Sequence, residues 1–348
     1  MIDDRTKTIY VVGAGGRTGM LFCRELQNAA RMIGIAFPAE IENIKSGKAK
    51  IARGKNPPEI FAAELVPPED FGAAIVRNAP DFLWLAARNP VDKITAFYYR
   101  HFTNQQNFPA LVLSQNGLSA VADAKKGLRE ALGQDADKVA IVRVSLINGV
   151  DLNTDGDGTL TIGYKLPIKL GFGTAQTYID GTDVNSSASL GLGEIFKKAG
   201  VGAREFRGKD VLAMENAKLF LNLIGMAAAA NGAGVAAGYR DKKIFKKEIA
   251  MLREFVSAAN AVRGGFAGKL GGYPVKLLAQ LALLPVCLLA PWRGILAGAI
   301  AKGRNRPKDL SEIDYYNGEV VRLGKKANVP TPVNEEIIAK ARALKCKI

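Results

Sequence analysis

The stretch Thr8-Ile9-Tyr10-Val11-Val12-Gly13-Ala14-Gly15-Gly16-Arg17-Thr18-Gly19 decides how the chain folds. Its first five residues are β-branched or apolar, which suits a strand covered on both faces. The glycines that follow allow a tight turn and a close approach to the backbone. Residues 19–30 then have the texture of a helix. A strand, a glycine turn and a helix in that order hold the pyrophosphate of a dinucleotide. The helix start offers open N–H groups and a partial positive charge. Gly13, Gly15, Gly16, Arg17, Thr18 and Gly19 are therefore candidate cofactor-binding residues. In the strict G-x-G-x-x-G spacing the third glycine falls on Thr18, and Gly19 comes one residue later.

Outward from this turn, further apolar runs alternate with helix-like stretches. Ile33–Phe37, Asp81–Ala86, Ala110–Leu113 and Val139–Val144 read as strands. Such a pattern predicts an α/β fold built on a doubly wound, Rossmann-type parallel sheet. Between 151 and 180, Asp-, Thr- and Gly-rich turns separate short alternating runs, which are expected to extend the same sheet in antiparallel fashion. Residues 185–200 read as another helix. From about 209 strand signals nearly vanish, and 211–231, 241–263, 273–284, 311–327 and 333–345 read as helices. The expected organisation is a nucleotide-binding domain over 1–208 and a mostly α-helical substrate and dimerisation domain over 209–348.

The 348 residues suit about two domains at roughly 150 residues each. Hydrophobic residues make up 48% and charged residues 23%, which excludes a disordered chain. The three cysteines are far apart and there is one histidine, so no metal-ligand spacing arises and no metal is expected. A reducing, cytoplasmic location fits this cysteine usage. The net charge is +15, but the bases are spread along the chain, so no nucleic-acid partner is expected. The stretch 277–301 holds a single charge, Arg293. Pro285, Pro291, Gly294 and Gly298 interrupt it, which favours a buried helix pair or a subunit interface over a membrane partner. A homodimer is a reasonable expectation on that ground. The second strand ends in Ala36-Phe37-Pro38-Ala39-Glu40, with neither the usual acid nor a base at its tip and Glu40 the only acid near it. Lys45, Lys48 and Arg53 follow, tilting the choice toward NADP, with NAD the alternative.

In the second half, Lys218 and Asn222 stand at i and i+4 and share a helix face. Their neighbours Leu219, Phe220, Leu221, Leu223 and Ile224 are apolar. A lysine so placed is either desolvated and ready to give up a proton, or merely a snorkelling side chain. His101 and the Asp151, Asp155 and Asp157 cluster read as packing and turn residues.

Taken together, Gly13–Gly19, Ser114-Gln115-Asn116-Gly117-Leu118, Lys218-Leu219-Phe220-Leu221-Asn222 and the run from Ser311 through Asn334 resemble the ketopantoate reductase (2-dehydropantoate 2-reductase) family. The resemblance implies a Rossmann domain followed by a helical domain, and reduction of a 2-oxo acid by NADPH. It implies Lys218 as general acid, and Asn116 as a contact to both substrate and nicotinamide. Asn222 would serve the substrate hydroxyl, and Glu312 would position the substrate or Lys218. Arg88 stands where the family usually has a lysine near the cofactor. One departure concerns the substrate: the serine expected about a dozen residues before Glu312 is missing. Arg304, Arg306 or Lys308 could grip a carboxylate in its place. The expected partner is a small 2-oxo acid. The competing readings are a nucleotide-binding protein without turnover, regulatory or membrane-associated, and an opine-type dehydrogenase with a bulkier substrate.

Overall fold

The structure is a computed structural model and describes residues 6–103, 105, 107–175, 187–262, 264–303 and 308–345. The chain divides into two units, Met1–Gln115 with Ala120–Val211, and Asn116–Ser119 with Leu212–Ile348.

The first unit holds the strands β1 (Thr8–Val12), β2 (Arg31–Ile35), β3 (Ala49–Arg53), β4 (Glu59–Ile60), β5 (Glu64–Val66), β6 (Phe82–Leu85), β7 (Ala110–Leu113), β8 (Ile141–Leu146), β9 (Val150–Thr154), β10 (Leu160–Tyr164), β11 (Lys169–Thr174) and β12 (Gly202–Glu205). Its helices are α1 (Arg17–Leu26), α2 (Pro38–Lys45), α3 (Phe71–Arg77), α4 (Asp92–Tyr99), α5 (Ala120–Leu132) and α6 (Ser187–Lys198). The main sheet runs β12-β11-β8-β7-β6-β1-β2-β5, and only the β8–β11 pair is antiparallel. Side chains alternate across it with period two. Ile9, Val11, Trp84 and Val112 enter one core, and Tyr10, Val12, Leu83 and Leu111 enter the other. Both faces are covered, so the strands are continuously apolar. This is the doubly wound sheet that the sequence predicts.

The 151–180 expectation needs correction. Among the described residues only β11 joins the main sheet there. β9 and β10 build a second, four-stranded sheet with β3 and β4, in the order β4-β3-β10-β9. β10 pairs in parallel with β3, Leu160 opposite Ala49. Ile51, Ile162 and Tyr164 face the core, while most of β9 is exposed. Glu25 of α1 ties this sheet down: it accepts from Arg53 Nε at 2.6 Å and from the Tyr164 hydroxyl at 2.7 Å.

The second unit is helical: α7 (Lys209–Leu223), α8 (Met226–Ala229), α9 (Val235–Arg240), α10 (Lys242–Ala261), α11 (Val275–Ala282), α12 (Val286–Leu289), α13 (Arg293–Gly303), α14 (Ile313–Ala327) and α15 (Pro332–Lys345). The single helix expected over 211–231 is broken at Gly225, which takes φ +92°. A Cβ there would also lie 2.6 Å from the Val235 side chain. Only glycine accepts both conditions. Buried Glu248 of α10 accepts the N–H groups of Gly225 and, at 3.1 Å, of Ala227, which caps the new helix start.

Candidate functional site

The glycine turn has the form that a pyrophosphate needs. Gly13 takes φ +82°, and its N–H donates to Ile35 O at 3.0 Å. Gly16 is the N-cap of α1 and has no side chain to occupy the free N–H groups beyond it. A Cβ on Gly19 would stand 2.1 Å from Gly13 O, so Gly19 is the residue that lets the helix pack on the strand. The third-glycine role thus falls one position later than the strict spacing places it. Gly16 and Arg17 are exposed and Thr18 is half-buried. A Cβ at Gly15 would come within 2.5 Å of the Glu40 carboxyl carbon, so that carboxylate sits beside the turn. Glu40 is anchored by accepting the Phe37 N–H at 2.9 Å. Of the three bases read toward NADP, Arg53 is engaged by Glu25. The turn fits a nicotinamide dinucleotide.

The Ser-Gln-Asn-Gly turn after β7 is built for rigidity. Ser114 Oγ accepts from Trp84 Nε1 and donates to Leu85 O, both at 3.0 Å. Gln115 Nε2 donates to Leu85 O at 2.7 Å and to Ala87 O at 3.1 Å. This holds the segment that leads to exposed Arg88. Buried Arg143 donates to Gln115 O at 3.0 Å. Gly117 takes φ +91°, and a Cβ there would meet Tyr315 O at 3.0 Å. Ser119 N then donates to Glu319 Oε1 at 2.9 Å.

Asn116, which the sequence places at a strand end of the first domain, groups with the helical unit. There it meets two of the other sequence-predicted residues. Asn116 Nδ2 donates to Glu312 Oε2 at 2.9 Å and to the Tyr316 hydroxyl oxygen at 3.0 Å. The Tyr316 hydroxyl donates to Glu312 Oε2 at 2.6 Å. Asn222 Nδ2 donates to Asn116 Oδ1 at 3.0 Å. Lys308 Nζ donates to the Asn222 carbonyl at 3.0 Å. Lys218 is half-buried on α7, one turn before Asn222 and on the same helical face. The result is a chain of fixed amide, carboxylate and phenol groups beside a lysine, with a second ammonium at its far end.

Two members carried no role in the sequence reading. Tyr316 follows Glu312 at i+4, a spacing that signals a shared face but not a shared bond. Glu248 looks, in Lys246-Lys247-Glu248-Ile249, like one charge on a solvated face. In the structure burial pushes its carboxyl up to about 7, against the pull of the Gly225 and Ala227 N–H groups and of Lys308. Arg304 and Arg306 lie outside the described residues. Among the described residues no cluster of His, Cys, Asp or Glu could hold a metal. Asp157 instead accepts the Thr159 N–H and hydroxyl, both at 3.0 Å, in a turn.

Comparison with known proteins bears on the fold that carries this arrangement. Residues 306–345 match the family described as ketopantoate reductase PanE/ApbA C terminal. No curated protein sequence matches the chain. Among solved structures, a PanE/ApbA family ketopantoate reductase from Ralstonia eutropha JMP134 superposes with a TM-score of 0.68 at 18% identity, over 98% of this chain and 99% of that one. A D-mandelate dehydrogenase solved with NADH and anilino(oxo)acetate gives 0.69 at 16% identity, over 97% of each chain. The 2-dehydropantoate 2-reductase of Methylococcus capsulatus gives 0.66 at 16%, over 98% and 97%. Residues 306–345 thus match the C-terminal model of the PanE/ApbA family, and the whole chain has the fold of these solved structures.

Proposed function

We propose that the protein is a nicotinamide-dependent reductase that converts a 2-oxo acid to a 2-hydroxy acid, with 2-dehydropantoate as first candidate. The observation that carries this reading is the Asn222–Asn116–Glu312–Tyr316 network beside Lys218. A bound nicotinamide would supply the hydride for the carbonyl carbon. Lys218 gives the carbonyl oxygen its proton and stabilises the negative charge that develops there. Asn222 and Asn116 orient the substrate. Glu312 uses its acceptor lone pairs to fix Asn116 and Tyr316, so that neither side chain must reorganise during the reaction. Lys308 stands at the Asn222 end, where an ammonium can take the substrate carboxylate in place of the missing serine.

NADH is the cofactor that the turn favours. Glu40 beside Gly15 offers a carboxylate to a ribose 2′-hydroxyl and repels a 2′-phosphate. A bulkier 2-oxo acid is the second reading. It is favoured by the absence of the expected serine and by the shared fold of a D-mandelate dehydrogenase solved with NADH and anilino(oxo)acetate.

The test is oxidation of NADH and NADPH with 2-dehydropantoate and a panel of aliphatic and aromatic 2-oxo acids. Turnover with 2-dehydropantoate supports the first reading, and turnover with an aromatic oxo acid alone supports the second. Absence of turnover with every pair sinks both.

A further inference from the structure

The stretch 277–301 does not form the buried helix pair expected of it. On α11, Val275, Ala279 and Ala282 face inward, while Leu277 and Leu281, and Leu284 just beyond the helix, are exposed. On α12 and α13, Val286, Leu289, Leu296 and Ile300 pack against a core of Val235, Tyr239, Phe245 and Ile249. The inner face of the segment is thereby satisfied. A second apolar face remains outside it, with Leu288 58%, Trp292 59% and Ile295 66% exposed. Exposure of this extent marks a contact surface.

Charge decides what covers it. From Phe255 to Lys308 the sequence holds eight Lys and Arg and no Asp or Glu. Lys269 and Lys276 are exposed. Arg253 of α10 donates to Leu284 O at 2.6 Å and Arg293 to Ala290 O at 3.0 Å, so two guanidiniums are held against backbone carbonyls of the segment. A second copy docked by the same face would oppose two surfaces on which bases such as Lys269, Lys276 and Arg293 outnumber acids, Asp241 being the acid next to the Arg240 carbonyl that Arg293 reaches. An anionic lipid surface complements both the charge and the apolar residues. The helices are too short to cross a bilayer, since a span needs about 20 residues. The Lys209–Ala229 run is long and apolar enough, but 72% of its apolar window is buried within the fold.

We infer that this face lies on an anionic bilayer surface, with Leu288, Trp292 and Ile295 entering the boundary between headgroups and acyl chains. The inference does not depend on the reductase reading. The experiment is flotation of the full chain with phosphatidylglycerol or phosphatidylcholine vesicles. Of the two tryptophans, Trp84 is fully buried, so a blue shift of emission reports on Trp292. Binding to phosphatidylglycerol should exceed binding to phosphatidylcholine. It should weaken by about tenfold or more in Leu288→Glu/Ile295→Glu, whose sites are exposed and whose fold is checked by thermal unfolding. Alkylation of exposed Cys287 should slow when vesicles are present. No binding to either vesicle overturns the inference, as does binding that the double variant retains. Self-association without vesicle binding, abolished by the same variant, overturns it in favour of a second copy.

Discussion

Lys218 and Asn222 share one helical face, yet their roles separate cleanly. If Lys218 is the proton donor, Lys218→Ala should lower kcat by about 10²- to 10⁴-fold and leave nucleotide affinity nearly unchanged. An equal loss of nucleotide affinity would make the lysine structural instead. Glu40 carries a second prediction. Glu40→Arg exchanges a partner for the ribose 2′-hydroxyl for one suited to a 2′-phosphate. The ratio of kcat/KM for NADPH over NADH should rise by about tenfold or more. An unchanged ratio would remove Glu40 from cofactor choice. These residues were unequally legible in the sequence. Lys218 and Asn222 lie within one turn of each other, so spacing exposes them. Asn116 and Glu312 are 196 positions apart, and only the resemblance joined them before the structure did. Glu40 was visible as the nearest acid. Its position over Gly15 depends on how α2 folds back after β2, which no local pattern encodes.

At the scale of elements, the central strands β1, β2, β6, β7 and β8 were readable because they are buried on both faces, whereas the partly exposed edge strands β5 and β12 were not. β3 was missed and β10 was given to the wrong sheet, because their pairing joins Ala49–Arg53 to Leu160–Tyr164 through contacts that neither stretch displays alone. The break between α7 and α8 was hidden for a similar reason. The run through Leu223 and Met226 keeps its helical texture, and the cap that starts α8 after Gly225 comes from Glu248 on another helix. That cap predicts a pH dependence. Burial raises the Glu248 carboxyl from its ordinary 4.5 to about 7. Between these values the unfolded chain has lost the proton while the folded chain keeps it. The group's contribution to stability therefore falls as pH rises through that window, by about 3 kcal/mol at roughly 1.4 kcal/mol per unit. Glu248→Gln cannot ionise, so urea denaturation at pH 5 and pH 8 should lack this component of the slope, whatever the variant's absolute stability. Parallel slopes in the two proteins would show that the carboxyl is ionised across the whole range.

For the whole molecule, two units with separate cores mean that a ligand acts first on the unit that holds it. The glycine turn lies in the sheet unit, between β1 and α1. A nucleotide bound there stabilises that unit by the free energy of binding, about 2.7 kcal/mol at a hundredfold excess over Kd. Thermal unfolding should therefore show an upward shift with NADH, and a smaller one with NADPH if Glu40 selects as argued. Gly19→Val tests the structural basis of the shift. Even a single Cβ at this position would lie 2.1 Å from Gly13 O, so α1 must retreat from the turn. The variant should melt earlier, by an overpacking cost of about 1–3 kcal/mol, and its transition should no longer respond to nucleotide. If it melts earlier but keeps the full NADH shift, the turn is only a packing device and the nucleotide binds elsewhere. If the unmodified protein shows no shift with either nucleotide, the nicotinamide reading fails at its first step, whatever the network around Asn116 does.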